Sequence, residues 1–283
     1  MTASDSSANN SPQGRSNLTV RLITALMLAP LVLACVFAGG WPFTVLAIVL
    51  AIVSMLEFYE LGRDRGIPGN IVVGLLALVA LLVDYTLGAY LWLPLLFVVA
   101  GAAAYLLEML RGTTAQRRGR VAVTLAGLAY AGFPSAFLIA IRAAPDGITW
   151  LLFIICVTWG TDTLAYFGGR WWGRRPLAPR ISPKKTVEGA LVGVAFGFAA
   201  GVAMLALAGK FTVATLALAL LGPPLAVIGD LFESHVKRFF HAKDSHLSRL
   251  NLIPGHGGVL DRTDSLIWVT SLCYLYLLLA GLL

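Results

Sequence analysis

The stretch "IPGHGGVLDRTDS" (253–265) leads without a break into "LIWVTSLCYLYLLLAGLL" (266–283). The second stretch is almost wholly apolar and approaches the length of a membrane-spanning helix, about 20 residues. The first stretch brings the carboxylates of Asp261 and Asp264, the guanidinium of Arg262, a histidine and several glycines to its border. A charged, glycine-rich segment at the edge of a membrane helix predicts a site at the membrane surface.

The composition of the whole chain agrees with a membrane protein. Hydrophobic residues make up 58% and charged residues 12%, and the mean hydropathy is +0.83. Ordinary soluble domains carry about 25% charged residues. We therefore predict an all-α integral membrane protein, a polytopic bundle of about nine transmembrane helices with an active site on its cytoplasmic face. The predicted spans are residues 22–39, 43–60, 70–88, 90–108, 121–142, 149–167, 187–207, 211–229 and 265–283.

We divide the chain into three regions. Residues 1–21 form a polar tail, residues 22–148 the N-terminal transmembrane helices, and residues 149–283 a catalytic transmembrane region with loops at 168–189 and 230–264. The 3 cysteines, Cys35, Cys156 and Cys273, fall inside apolar segments and show no disulfide or metal-site spacing. They are predicted to pack as small hydrophobic residues.

The net charge of +7 is unevenly placed. Most of the 21 Lys and Arg residues lie in the loops after the even-numbered spans, whereas the opposite loops hold only Arg142 and Lys210. This is the positive-inside asymmetry, which places the even-numbered loops in the cytoplasm and argues against nucleic acid as a partner. Arg15 and Arg21, before the first span, do not follow the rule. The composition, rich in Ala, Leu, Gly and Arg, suggests a bacterial inner membrane.

The sixth loop, "GGRWWGRRPLAPRISPKKTVEG" (168–189), is strongly basic. Its hydroxyl and ammonium groups are donors suited to phosphate oxygens, and they belong to Ser182, Lys184, Lys185 and Thr186. Basic cytoplasmic loops also fix topology or attract anionic lipids, and this alternative stays open. Asp162, in the preceding span, is a carboxylate at membrane depth, which usually faces the interior of a bundle.

The eighth loop carries the second cluster. If the eighth helix continues out of the membrane, Asp230, Ser234, Lys237 and Arg238 share one of its faces. "PGHGG" can turn backbone N–H groups onto an anion just before Asp261 and Asp264. Aspartates in a first helical turn also suit the helix dipole, which is the simpler explanation for either one alone.

Carboxylates beside phosphate-binding cations match Mg²⁺, a hard ion that prefers oxygen ligands. Zinc fits less well, because His235, His241 and His246 do not align on one helix face. Three other acids in or near apolar segments rank below Asp162, namely Glu57, Asp84 and Glu108.

Two long blocks resemble the phosphatidate cytidylyltransferases, also called CDP-diacylglycerol synthases. One runs from Ser234 to Ser265, "SHVKR", four residues, "KDS", then "PGHGGVLDRTDS"; the other is "WGTDTLAYFGGRWWGRRPLAPRISPKKTVEG" (159–189). The segment between Ser245 and Pro254, "HLSRLNLI", is longer than the family's usual four residues. The resemblance implies CTP and phosphatidic acid as substrates, Mg²⁺ with K⁺ as a candidate second ion, membrane lipids as surroundings, and a homodimer.

The chemistry of the two blocks then predicts the site. The catalytic group comprises Asp230, Ser234, Lys237, Arg238 and Asp261, and metal is predicted on Asp230 and Asp261. Substrate binding is predicted for Asp162, Ser182, Lys184, Lys185, Thr186, Lys243, Asp244, His256, Gly257, Gly258, Arg262 and Asp264. Two alternatives remain: a related CTP-dependent cytidylyltransferase or kinase acting on an isoprenoid lipid, and a transporter, which would distribute its polar residues nearer mid-membrane.

Overall fold

Helices dominate the part of the chain that the computed structural model describes, which is residues 27–63, 65–88, 93–109, 113–242 and 258–283. In chain order these helices are α1 Met27–Ala38, α2 Gly40–Arg63, α3 Ile71–Thr86, α4 Leu93–Met109, α5 Thr114–Gly127, α6 Phe133–Ala143, α7 Gly147–Trp172, α8 Val187–Leu207, α9 Val213–Phe239 and α10 Leu260–Leu279. A π-helical segment, Leu128–Gly132, joins α5 to α6. The predicted tail, residues 1–21, lies outside the described residues.

Each predicted span overlaps a helix, with α5 and α6 together forming one continuous rod, Thr114–Ala143. By length and composition, 5 of the described helices could cross a membrane: α2, the α5–α6 rod, α7, α8 and α9. Met27–Ala38, Ile71–Thr86 and Leu95–Met109 are shorter apolar helices. A predominantly helical membrane protein is therefore confirmed, whereas the division of the chain at residue 148 stays a prediction.

A small β-hairpin departs from the predicted all-α fold. Strand β1, Pro176–Ala178, pairs antiparallel with β2, Ser182–Thr186, with Pro176 opposite Thr186 and Ala178 opposite Ser182. The prolines of "PLAPRISPKKT" disfavour helix and push the residues before them to extended backbone. The phosphate-binding candidates of the sixth loop therefore lie on an ordered strand.

The helices also extend further into the two site loops than the hydropathy pattern predicts. α7 continues to Trp172, so residues 168–172 are helical and do not belong to the loop. α9 continues to Phe239, beyond the predicted end of the eighth span at residue 229, so Asp230, Ser234, Lys237 and Arg238 do lie on a helix; α10 begins at Leu260, just before Asp261. Charged residues enter both extensions, Arg170 in α7 and Asp230 onward in α9, so the apolar pattern ends before the helix does.

Glycines set the spacing of the helices around the site. Gly189, Gly193, Gly197 and Gly201 are buried along α8, and a Cβ on Gly193 would stand 2.6 Å from the carbonyl oxygen of Thr161 on α7. The backbones of α7 and α8 can approach closely only because these side chains are absent. The approach draws the hairpin, which precedes α8, toward Asp162.

Opposite ends of the bundle differ in character. The end of α7, the hairpin, the end of α9 and the start of α10 meet at one end, where Arg65 after α2 also reaches His241, with 2.7 Å between Nη2 and Nε2. At the other end, Lys210 pairs with Asp146 at 2.5 Å.

Cys35, Cys156 and Cys273 are free thiols, as predicted.

Candidate active site

Four carboxylates line the contact between α9 and α10. Asp230 and Glu233 are one turn apart on α9, and Asp261 and Asp264 are one turn apart on α10. Because the two helices run antiparallel, Asp230 lies opposite Asp264, and Glu233 lies opposite Asp261, with the Lys237 ammonium in contact with both. A Cβ on Gly229 would stand 2.8 Å from the carbonyl oxygen of Asp264, so the glycine permits this close approach. We call these four residues the carboxylate ladder. Asp230 and Asp264 form its upper rung, and Glu233 and Asp261 form its lower rung.

Lys237 neutralises the lower rung of the ladder. Its Nζ lies 2.6 Å from Glu233 Oε2 and 2.9 Å from Asp261 Oδ1, and its side chain is only 13% exposed. The backbone N–H of Gly258 donates to Asp261 Oδ2 at 3.1 Å. Two carboxylates and one ammonium removed from water must remain paired. A substrate or a metal at Asp261 would therefore compete with an existing ionic partner.

Asp162 joins the upper rung from α7. The hydroxyl of Ser265 donates to Asp162 Oδ1 at 3.2 Å, while the backbone N–H of Ser265 donates to Asp264 Oδ1 at 2.7 Å. Lys185, on β2, forms an ion pair with Asp230. Asp162, Asp230 and Asp264 thus converge at one place, where Lys185 pairs with Asp230 and the charge of Arg262 acts on Asp162.

A polar cleft of about 460 Å³ opens between the hairpin and helices α7, α8 and α9. Its lining includes six predicted residues: Asp162, Ser182, Lys184, Lys185, Thr186 and Asp230. Tyr166 and Arg170 of α7 also line it, with Arg170 Nη1 donating to the Tyr166 hydroxyl at 3.3 Å. The structure therefore brings the sixth-loop candidates and the upper rung to one cavity.

Several predicted residues have structural partners. Thr186 caps α8 by accepting the N–H of Gly189 at 3.2 Å. Arg238 donates from Nε to the carbonyl oxygen of Ile181 at 3.3 Å, which ties the hairpin to the end of α9. Ser234 is buried on α9, and the charge of Arg262 acts on Asp162. Four further candidates, Lys243, Asp244, His256 and Gly257, lie outside the described residues.

An apolar groove of about 420 Å³ lies between segments that include α9 and α10, the two helices that carry the ladder. Phe58, Tyr130, Phe133, Phe232 and Trp268 line it, from α2, the π-helical segment, α6, α9 and α10. The Tyr130 ring packs 5.9 Å from that of Phe58 and 5.5 Å from that of Phe232. The buried Tyr130 hydroxyl, which has no hydrogen-bond partner among the described residues, is close enough to all four ladder carboxylates to experience their charge.

Sequence reasoning missed three of these residues. Glu233 follows Asp230 by three positions and precedes Lys237 by four, a spacing that places all three on one helix face and could have identified it. Tyr130 sits in a π-helical turn, a feature frequent at functional sites that sequence does not reveal. Glu57 was ranked low, yet its carboxylate accepts the backbone N–H groups of Val259 and Leu260 at 3.0 and 2.7 Å.

The ladder offers oxygen ligands only, which suits Mg²⁺. Mg²⁺ is commonly held by one or two carboxylates, with water and substrate phosphates completing its shell. Within the described ranges, no three His, Cys, Asp or Glu side chains are arranged as a complete metal-ligand set. Asp230, which lines the cleft, and Asp264, which lies opposite it, fit an ion whose coordination shell a bound substrate would complete.

Comparison with known proteins agrees with the resemblance of the two blocks. Residues 19–280 match the sequence model of the Cytidylyltransferase family. A phosphatidate cytidylyltransferase of Brucella abortus biovar 1 (strain 9-941) is 39% identical over 265 residues, which cover 92% of this chain and 93% of that protein. The phosphatidate cytidylyltransferase of Bacillus subtilis (strain 168) is 33% identical over 270 residues, covering 92% and 97%. With both site blocks inside the matched region, the chain belongs to the cytidylyltransferase family.

Proposed function

We propose that this protein transfers the cytidylyl group of CTP to phosphatidic acid, giving CDP-diacylglycerol and pyrophosphate for phospholipid biosynthesis. The observation that carries the proposal is a pair of cavities near the carboxylate ladder: Asp230 of the ladder lines the polar cleft, and the apolar groove lies between segments that include the two ladder helices, α9 and α10. The polar cleft offers Lys184, Lys185 and Ser182 to a nucleotide triphosphate. The apolar groove offers aromatic and aliphatic side chains to a lipid. Relatives named phosphatidate cytidylyltransferase support the same pair of substrates.

The chemistry needs no enzyme nucleophile. A phosphate oxygen of phosphatidic acid attacks the α-phosphorus of CTP, and a new P–O bond forms there. The bond from that phosphorus to the bridging oxygen breaks at the same time, and pyrophosphate leaves with the electron pair. Mutual repulsion of the phosphates is the main obstacle, and fixed cations reduce it. Lys184 and Lys185 are positioned on β2 for this role.

We propose Mg²⁺ as the cofactor, with K⁺ as a second ion. Asp230 would hold Mg²⁺ together with Asp264, its neighbour across the helix contact, and the predicted ligand Asp261 would contribute from the lower rung if Lys237 moved aside. Bound Mg²⁺ would neutralise phosphate charge and align the attacking and leaving oxygens. The ladder would meanwhile orient both substrates, and Tyr130 would donate a hydrogen bond to the lipid phosphate or its glycerol esters.

The activity is tested with purified protein, labelled CTP and a panel of lipid phosphates. We expect CDP-diacylglycerol and pyrophosphate in equal amounts from phosphatidic acid, and no product when EDTA is present. Faster turnover of an isoprenyl phosphate than of phosphatidic acid would contradict the substrate, and turnover that persists in EDTA would contradict the metal.

We further propose nine membrane crossings in a bacterial inner membrane, with the site facing the cytoplasm, and a homodimer. The placement of basic residues supports the orientation. Arg118→Cys and Arg180→Cys, made in a chain whose three native cysteines are replaced, should react with an impermeant thiol reagent only from the cytoplasmic side. Lys210→Cys should react only from the opposite side. Labelling of Arg118→Cys and Arg180→Cys from different sides would contradict the proposed orientation, which places all even-numbered loops in the cytoplasm. Light scattering of the detergent complex measures the dimer.

A further inference from the structure

Helix α10, which carries Asp261 and Asp264, begins without a cap of its own. The residue before it, Val259, has no side chain able to accept a hydrogen bond, and none caps the helix from that position. The first backbone N–H groups of a helix have no partner within it and need one elsewhere. Within the described residues, the N-cap position of α10 therefore provides no side-chain cap.

Glu57 supplies the missing cap from a distant helix. Its Oε1 accepts the N–H of Val259 at 3.0 Å and its Oε2 accepts the N–H of Leu260 at 2.7 Å, across 202 and 203 positions of the chain. Only 2% of the residue is exposed. A negative charge at a helix N-terminus is also favoured by the helix dipole. With one oxygen on each of two successive N–H groups, the carboxylate restricts both the position and the rotation of the first turn.

This restriction acts directly on the ladder. Asp261 follows Leu260 immediately, and its Oδ2 accepts the N–H of Gly258, so it belongs to the turn that Glu57 holds. Asp264 is one turn further and faces Asp230. A rotation of α10 about its axis would separate both pairs of carboxylates, because the rungs depend on side chains facing each other across the helix contact.

We infer that Glu57 is a positioning residue of the active site, which holds α10 so that Asp261 and Asp264 meet the carboxylates of α9. The inference rests on the proposed function, since it assigns Glu57 a role in that reaction. Glu57 makes no contact with substrate and acts only through α10, the helix that it caps.

A second buried glutamate provides a matched control. Glu108 on α4 is 3% exposed and pairs with Arg120 at 3.1 Å, and it accepts from Asn70 Nδ2 at 3.4 Å. Both of these partners, Asn70 before α3 and Arg120 on α5, are remote from α10. Glu108→Gln should therefore lower stability without changing the geometry of the ladder.

The test compares Glu57→Gln with Glu108→Gln in the full-length protein in detergent. Gln keeps the size of Glu but turns an NH₂ group toward one of the two N–H groups. We expect kcat to fall between about tenfold and a hundredfold, the cost of a small misplacement of reacting groups, with less than about threefold change in the KM for CTP. Hydrogen exchange in a peptide spanning residues 258–264 should accelerate in Glu57→Gln and not in Glu108→Gln. Glu57→Asp, which keeps both oxygens on a shorter stem, should recover part of kcat and of the protection.

Three outcomes would overturn the inference: unchanged exchange at residues 258–264, a kcat equal to that of the wild type, or a loss of kcat matched by Glu108→Gln at equal melting temperature. If Glu57→Gln fails to fold, the same comparison is made with Glu57→Asp. Failure of the proposed function is separate, because it would leave the wild type itself without CTP-dependent turnover of phosphatidic acid.

Discussion

Replacing Asp264 with Asn should raise the stability of the protein and nearly abolish its activity. Asp264 is 7% exposed and lies opposite Asp230, with the charge of Asp162 also acting on it. Two unit charges about 4 Å apart repel by about 4 kcal/mol at an effective dielectric constant near 20. The ion pair of Asp230 with Lys185 offsets part of this repulsion.

The amide improves the contacts that remain. In Asp264→Asn, the side-chain NH₂ can donate to Asp230, while Oδ1 can still accept the N–H of Ser265, now 2.7 Å away. We expect a net gain of about 1 kcal/mol in the free energy of unfolding without Mg²⁺, well inside the repulsion available. Turnover should fall on the order of 10²–10³-fold, as when a preorganised electrostatic group is removed from an active site.

The assay pairs thermal melting in Mg²⁺-free detergent with turnover in a magnesium titration. Asp146→Asn is the control, because that exposed aspartate pairs with Lys210 at the other end of the bundle and should change neither quantity by much. A variant of Asp264 that melts earlier than the wild type while keeping its turnover would refute the reasoning, since the carboxylate would then be a structural group.

Three further predictions follow from the two cavities and the lower rung. Lys184→Ala, at the wall of the polar cleft, should raise the KM for CTP about tenfold, the effect of one lost charge-assisted hydrogen bond, and leave the melting temperature unchanged. An unchanged KM would mean that this lysine only helps to fix the membrane topology. Ala126→Trp, which fills the apolar groove, should raise the KM for dioleoyl phosphatidic acid several-fold in steady-state assays. Ala102→Trp, on the exposed surface of α4, should not. Equal effects of the two substitutions would exclude the groove as the lipid site. Lys237→Met leaves the buried carboxylates of Glu233 and Asp261 without their cation and should lower the free energy of unfolding by about 3 kcal/mol in denaturant titrations. A loss under about 1 kcal/mol would show that the lower rung is solvated.

Local patterns predicted much of this molecule. The spacing of Asp230, Ser234, Lys237 and Arg238 predicted that they would share one face if α9 continued outward, because a helix places residues four and seven apart on one face; the structure supplies the continuation to Phe239. The start of α10 before Asp261 follows from the transition between a glycine-rich turn and an apolar run. The hairpin was not predicted, because strands of three and five residues give too short a pattern to distinguish from a loop.

By itself, the sequence determined that the chain is a helical membrane protein of the cytidylyltransferase family, because hydropathy and motif order are properties of consecutive residues. The sequence motifs also identified Asp230 and Asp261 as candidate site residues. Only the tertiary structure decided that Asp230 faces Asp264, that Glu233 and Asp261 share Lys237, and that Glu57 caps a helix more than 200 positions away. These pairings depend on the rotation and spacing of packed helices. Glycines such as Gly229 permit the close spacing because they have no side chain at the contact. No local pattern contains that information, because the partners are neighbours in space alone.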